Sequence, residues 1–109
     1  MRCTVLGAGS WGTALACQLA RQGHETVLWD RHASRCDHIN LHHENPRYLQ
    51  GVSLPEGLIA TSDLSRAVSQ AELVVPVIPS HAFRSVLRSA REHWNPATYV
   101  CCASKGIEE

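Results

Sequence analysis

The feature that most constrains this chain is the run Gly7-Ala8-Gly9-Ser10-Trp11-Gly12, three glycines in G-x-G-x-x-G spacing. It follows an apolar segment, Arg2 to Leu6, that reads as a buried strand. It opens an Ala- and Leu-rich segment, Trp11 to Gln22, with Leu15 and Leu19 on one helical face and Gly23 as a stop. A second strand is expected at Thr26 to Trp29, closing a strand–helix–strand unit of about 30 residues. In such a unit each glycine has a task. Gly7 permits a tight turn, Gly9 lets the backbone approach a pyrophosphate, and Gly12 lets the helix pack closely on the strand. The helix N-terminus adds N–H groups and a partial positive charge. This context favours a dinucleotide site over a plain turn.

The rest of the chain keeps the same alternation. Residues Ala33 to about Leu41 read as a weaker helix, followed by a polar loop with Asn45-Pro46 and Gly51. Leu58 to Ala60 is a short third strand, and Asp63 caps a helix carrying Leu64, Ala67, Val68 and Ala71. Leu73 to Ile78 is a nearly all-apolar fourth strand, as expected of a strand covered on both faces. Pro76 interrupts it and calls for a local bulge, because proline removes a ladder donor. Ser80 is the expected N-cap of a helix whose stripe is Phe83, Val86, Leu87, Ala90 and Trp94. Asn95-Pro96 ends that helix, and Thr98 to Ala103 reads as a fifth strand. The pattern predicts an α/β fold of Rossmann type, doubly wound. It should have a mostly parallel sheet of about five strands with helices on both faces, as one dinucleotide-binding domain over residues 1–109.

Composition narrows the function classes. The 109 residues are 44% apolar and 18% charged, ordinary for a globular domain. Ten basic residues balance ten acidic ones, which gives no electrostatic footprint for nucleic acid or an anionic membrane. No apolar run is long enough to span a bilayer, and Met1 leads straight into strand residues without a leader layout, so a cytoplasmic protein is expected. Cys3, Cys17, Cys36, Cys101 and Cys102 form no C-x-x-C pair and fall in expected strands or helices, which reads as reduced, mostly buried thiols. A disulfide between Cys101 and Cys102 is disfavoured, since adjacent strand residues face opposite sides. His38 and His42 share a helical face near His43 and Glu44, but nothing completes a metal site at a recognised spacing, so no metal is expected. Ser80 and His81 suggest a nucleophile and base only superficially, because helix neighbours point apart.

The second strand ends in Trp29-Asp30-Arg31-His32, where a ribose-reading residue belongs. Asp30 suits the ribose hydroxyls of NAD, and Arg31 suits the 2′-phosphate of NADP. A solvated Asp-Arg pair is the bland alternative, and Arg31 is the stronger cofactor contact of the two.

Over nearly its whole length the chain resembles the N-terminal part of the bacterial NAD(P)-dependent glycerol-3-phosphate dehydrogenase family. The residues that carry the resemblance begin with Gly7 to Ala16 and Leu28 to Arg31. They continue through Ile39-Asn40, Asn45, Tyr48-Leu49, Gly51, Leu54-Pro55, Ala60-Thr61 and Asp63-Leu64. They close with Ile78-Pro79-Ser80, Phe83-Arg84, Val86-Leu87 and Ser104 to Glu108. Gln50, in place of an expected proline, and Pro76 depart from the pattern.

The resemblance implies a nicotinamide dinucleotide, NADP or NAD, as cofactor, and glycerol 3-phosphate or dihydroxyacetone phosphate as substrate of the complete enzyme. It implies a role in supplying glycerophospholipid precursors and leaves room for a homodimer. Beside Gly7, Gly9 and Gly12, it makes Ser10, Trp11, Arg31, His32, Tyr48 and Lys105 cofactor contacts. Lys105, the chain's one lysine, would also touch substrate. Related enzymes carry a helical substrate domain with a second lysine as general acid and base. That domain is not expected within these residues, so no catalytic residue is assigned here and the chain alone should be catalytically incomplete. The competing readings are a nucleotide-binding module without catalysis and a dehydrogenase of other phosphorylated or hydroxy-acid substrates.

Overall fold

The computed structural model describes residues 1–45, 47 and 51–101. Five strands, β1 (Arg2–Leu6), β2 (Glu25–Trp29), β3 (Leu58–Thr61), β4 (Leu73–Pro76) and β5 (Tyr99–Val100), alternate with four helices. These are α1 (Ser10–Arg21), α2 (Ala33–His42), α3 (Leu64–Val68) and α4 (Ser80–Arg91). The strands form one sheet in the order β3-β2-β1-β4-β5, with every pairing parallel. The chain winds outward from β1 to β3, returns to the other side of β1 and winds out again. That reversal opens a crevice at the carboxyl ends of the strands.

Strand alternation sorts the core into two layers. Val5, Leu28, Ala60 and Val75 face Ala16 and Cys17 of α1 and Cys36 and Ile39 of α2. Leu6, Trp29 and Val74 face Ala67 and Val68 of α3 and Ala90 of α4. The expected stripe of α4 packs into this second layer through Phe83, Val86, Leu87, Ala90 and Trp94. Both sheet faces are therefore covered by helices, which is why the strands are apolar on both sides.

Four expectations need adjusting. The fourth strand closes at Pro76 instead of Ile78. Glu72 N–H donates to Arg2 O and Val77 N–H to Leu6 O, so β4 runs one residue longer than β1 between those bonds. Pro76 stands opposite Leu6 without an N–H to give, and Val77 supplies the bond instead, which is the expected bulge. Ser80 is the first helical residue of α4, and Pro79 occupies the cap position. Helix α4 also ends at Arg91, before Asn95-Pro96. Finally, Cys3, Cys17 and Cys36 are buried but Cys101 is exposed, because it follows a two-residue edge strand. Of the expected fifth strand only Tyr99–Val100 is strand; Thr98 and Cys101 flank it, and Cys102 and Ala103 lie outside the described residues.

Candidate functional site

A cleft of ≈ 390 Å³ lies at the point where the strand order reverses, within the size range of small-ligand sites. One wall is the whole turn from Gly7 to Gly12, and a second is Trp29 to His32 with Arg35. The third is Val77 to Pro79 with His81, Ala82 and Val86 from the start of α4.

The three glycines of the turn serve different ends. Gly7 has φ +116°, and a Cβ there would land on the carbonyl oxygen of Val77, the residue after Pro76. A Cβ on Gly12 would land on the Gly7 carbonyl oxygen, so α1 can sit this close to β1 only without a side chain at that position. Around Gly9 the position of a Cβ is open space. Its φ of −74° is ordinary, so what glycine provides here is clearance beside the cleft. The turn is anchored from outside as well. Gly7 N–H donates to Trp29 O at 2.8 Å, and the buried Asn45 amide donates to Ala8 O and Thr13 Oγ1, both at 2.9 Å.

Helix caps separate the cleft from the rest of the molecule. At the starts of α1, α2 and α4 the cap positions are Gly9, His32 and Pro79, and none gives a side-chain cap. Helix α3 contributes nothing to the cleft among the described residues, and its Asp63 carboxylate accepts from Arg66 N–H at 3.1 Å. Helix N-termini attract anions through their N–H groups and dipole. Three of them around one crevice favour a polyanionic ligand.

Asp30 is only 7% exposed and ties the first two walls together. Its Oδ1 accepts from Ala8 N–H at 3.4 Å, and its Oδ2 accepts from His32 N–H at 3.0 Å. Arg35 Nη1 pairs with the same Oδ2 at 3.0 Å. The Cys36 thiol donates to the Asp30 carbonyl at 3.6 Å, and Asp30 N–H donates to Thr61 O. Burial pushes the thiols of Cys3, Cys17 and Cys36 above the ordinary value of 9.0, so these sulfurs act as core atoms.

The structure thus brings Gly7, Gly9, Ser10, Trp11, Gly12, Arg31 and His32 to one cleft, with Trp11, Arg31 and His32 exposed. Tyr48 and Lys105 lie outside the described residues. Asp30 is a bracing residue more than an open ribose acceptor. Neither Arg35 nor the bracing role of Asn45 is marked in the sequence: Asn45 acts on Ala8 and Thr13 more than thirty residues away, and the spacing of Arg35 from Asp30 across a strand–helix loop matches no regular periodicity. His38 Nε2 stands 3.3 Å from the Glu44 carboxylate, and its ring lies 4.6 Å from that of His42; neither residue lines the cleft.

The family model described as NAD-dependent glycerol-3-phosphate dehydrogenase N-terminus matches residues 2–109. The NAD(P)+ glycerol-3-phosphate dehydrogenase of Anaeromyxobacter sp. (strain K) is 49% identical over 108 residues, 99% of this chain and 32% of that protein. Its counterpart from Xanthomonas euvesicatoria is 52% identical over 104 residues, 95% of this chain and 30% of that protein. The crystal structure of glycerol-3-phosphate dehydrogenase from Coxiella burnetii superposes with a TM-score of 0.90 at 35% identity, covering 96% of this chain and 32% of that one. The chain therefore spans about a third of the length of the curated relatives it matches.

Proposed function

The chain belongs to the family of NAD-dependent glycerol-3-phosphate dehydrogenase N-termini, and on that premise we propose that its cleft holds the nicotinamide dinucleotide of such an enzyme. The reaction is the interconversion of dihydroxyacetone phosphate and sn-glycerol 3-phosphate, in the cytoplasm, as a supply of glycerophospholipid precursor. The observation that carries this reading is the start of α1 at a glycine, which gives no side-chain cap and has clear space beside it, at the reversal of the strand order.

Residues of the chain divide the work of binding. Gly7 and Gly12 set the shape of the turn, and Gly9 leaves the backbone bare for a diphosphate. Ser10 and Trp11 stand at the positive end of α1. Arg31 and His32, exposed at the end of β2, take the adenosine end, with Arg31 on a 2′-phosphate. Tyr48 and Lys105 complete the set by resemblance, Lys105 reaching substrate as well. When bound, the cofactor supplies or accepts the hydride. No described cleft residue is assigned as the general acid–base for the substrate hydroxyl, and we read this polypeptide as the cofactor-binding part, incomplete for turnover by itself.

Calorimetric titration with NADPH and with NADH, repeated after Arg31→Ala, tests the reading. NADPH should bind more tightly, and the substitution should erase the difference. A folded chain that binds neither nucleotide would overturn it.

A further inference from the structure

We infer that Arg35 sets the cleft's preference between the two nucleotides by occupying the Asp30 carboxylate, a specificity-determining role exerted through Asp30 instead of on the nucleotide. The inference rests on the cofactor reading above.

A carboxylate at the end of the second strand of this fold normally accepts the adenosine ribose hydroxyls, and its charge repels a 2′-phosphate. Asp30 stands at that position, immediately before Arg31, so the two residues make opposite demands on one ribose. The structure resolves the conflict on the protein side. Oδ2 is taken by His32 N–H and Arg35 Nη1, each at 3.0 Å, and Oδ1 faces Ala8 N–H at 3.4 Å. The pair is mostly shielded, with side-chain exposures of 18% for Arg35 and 10% for Asp30, so solvent screens it little and the two charges cancel locally. Arg35 is held in place by the first turn of α2, where its N–H donates to His32 O at 3.1 Å. With Asp30 neutralised, the exposed Arg31 leaves this corner of the cleft net positive. Without Arg35 the same corner would hold a bare carboxylate beside Arg31, and the advantage of a 2′-phosphate would vanish. Arg35 is thus a positioning residue, and its guanidinium need not touch the ligand.

A double-mutant cycle on the full chain tests this, with NADPH and NADH dissociation constants measured by titration and the fold checked by circular dichroism. Arg35→Ala should lower the NADPH-over-NADH preference by about tenfold, the scale of one partly screened charge. Arg35→Lys, which keeps the charge, should restore most of it. Asp30→Asn alone should keep or raise the preference. In the Asp30→Asn background, Arg35→Ala should lower the preference clearly less than in the parent, since only the charge of Arg35 itself is then lost and no carboxylate is released toward the 2′-phosphate. If Arg35→Ala weakens NADPH equally in both backgrounds, Arg35 acts on the nucleotide by its own charge or contact and not through Asp30, and the inference is wrong. An equal loss of both nucleotides in a folded variant also overturns it, because Arg35 then only maintains the shape of the turn. A parent chain that binds neither nucleotide overturns the cofactor reading itself, whereas every other outcome leaves that reading standing.

Discussion

Two turns lead from a strand end into a helix N-terminus at opposite walls of the cleft, and they are built in opposite ways. The turn before α1 is glycine-rich and crowded, braced by Trp29 O and Asn45. The turn before α4 is stiffened by Pro76 and Pro79, with Pro79 at the cap position and exposed. They are not independent. The carbonyl of Val77, directly after the bulge at Pro76, lies at the very place where a side chain on Gly7 would stand. A rigid turn on one side thus imposes bareness on the other. Part of what looks like a ligand-binding motif in the first turn is a packing requirement set by the second.

The largest effect should come from Gly12→Val. Its Cβ would meet backbone at Gly7 O, which cannot rotate aside, so a loss of about 3 kcal/mol or more is expected in urea unfolding. Pro79→Ala, in the other turn, should stay within about 1 kcal/mol. Equal midpoints for the two variants would break the contrast. Asn45→Ala comes next, at about 2 kcal/mol, because it strands the Ala8 carbonyl and the Thr13 hydroxyl in a buried place. An unchanged midpoint would mean that water replaces the amide at no cost.

Gly9→Ala should do least to stability, within about 0.5 kcal/mol, since its φ is ordinary and its surroundings are open. Its effect should appear in titration instead, as a loss of about tenfold or more in NADPH affinity. Loss of stability without loss of binding would reverse the division of labour among the three glycines.

Much of this was legible in the residues, for a physical reason. Alternation of apolar strand and amphipathic helix is a local pattern, and so is a glycine turn at fixed offsets. Asp63 as a cap was legible too, because a cap acts within its own first turn. The caps of α2 and α4 were harder, since His32 and Pro79 are not capping types. For Asp30 the residues leave a ribose acceptor and a solvated Asp-Arg pair both open, because nothing within the strand says that Ala8, His32 and Arg35 converge on it. The bulge at Pro76 was expected, but its consequence for Gly7 was not, since the two residues meet only through the pairing of β1 and β4.

The amino-acid sequence by itself determined the order of strands and helices, the layering that apolar strands require and the position of the glycine turn. These follow from preferences that each segment carries locally. The tertiary structure alone decided which glycine must be bare for packing and which for clearance, and that Asp30 is masked by Arg35. It also decided that three helices whose cap residues give no side-chain cap begin at one crevice. Those facts depend on sterics and charge acting through space, between Gly7 and Val77 across two strands and between Asp30 and Arg35 around the loop from β2 into α2, and no regular spacing along the chain marks either contact.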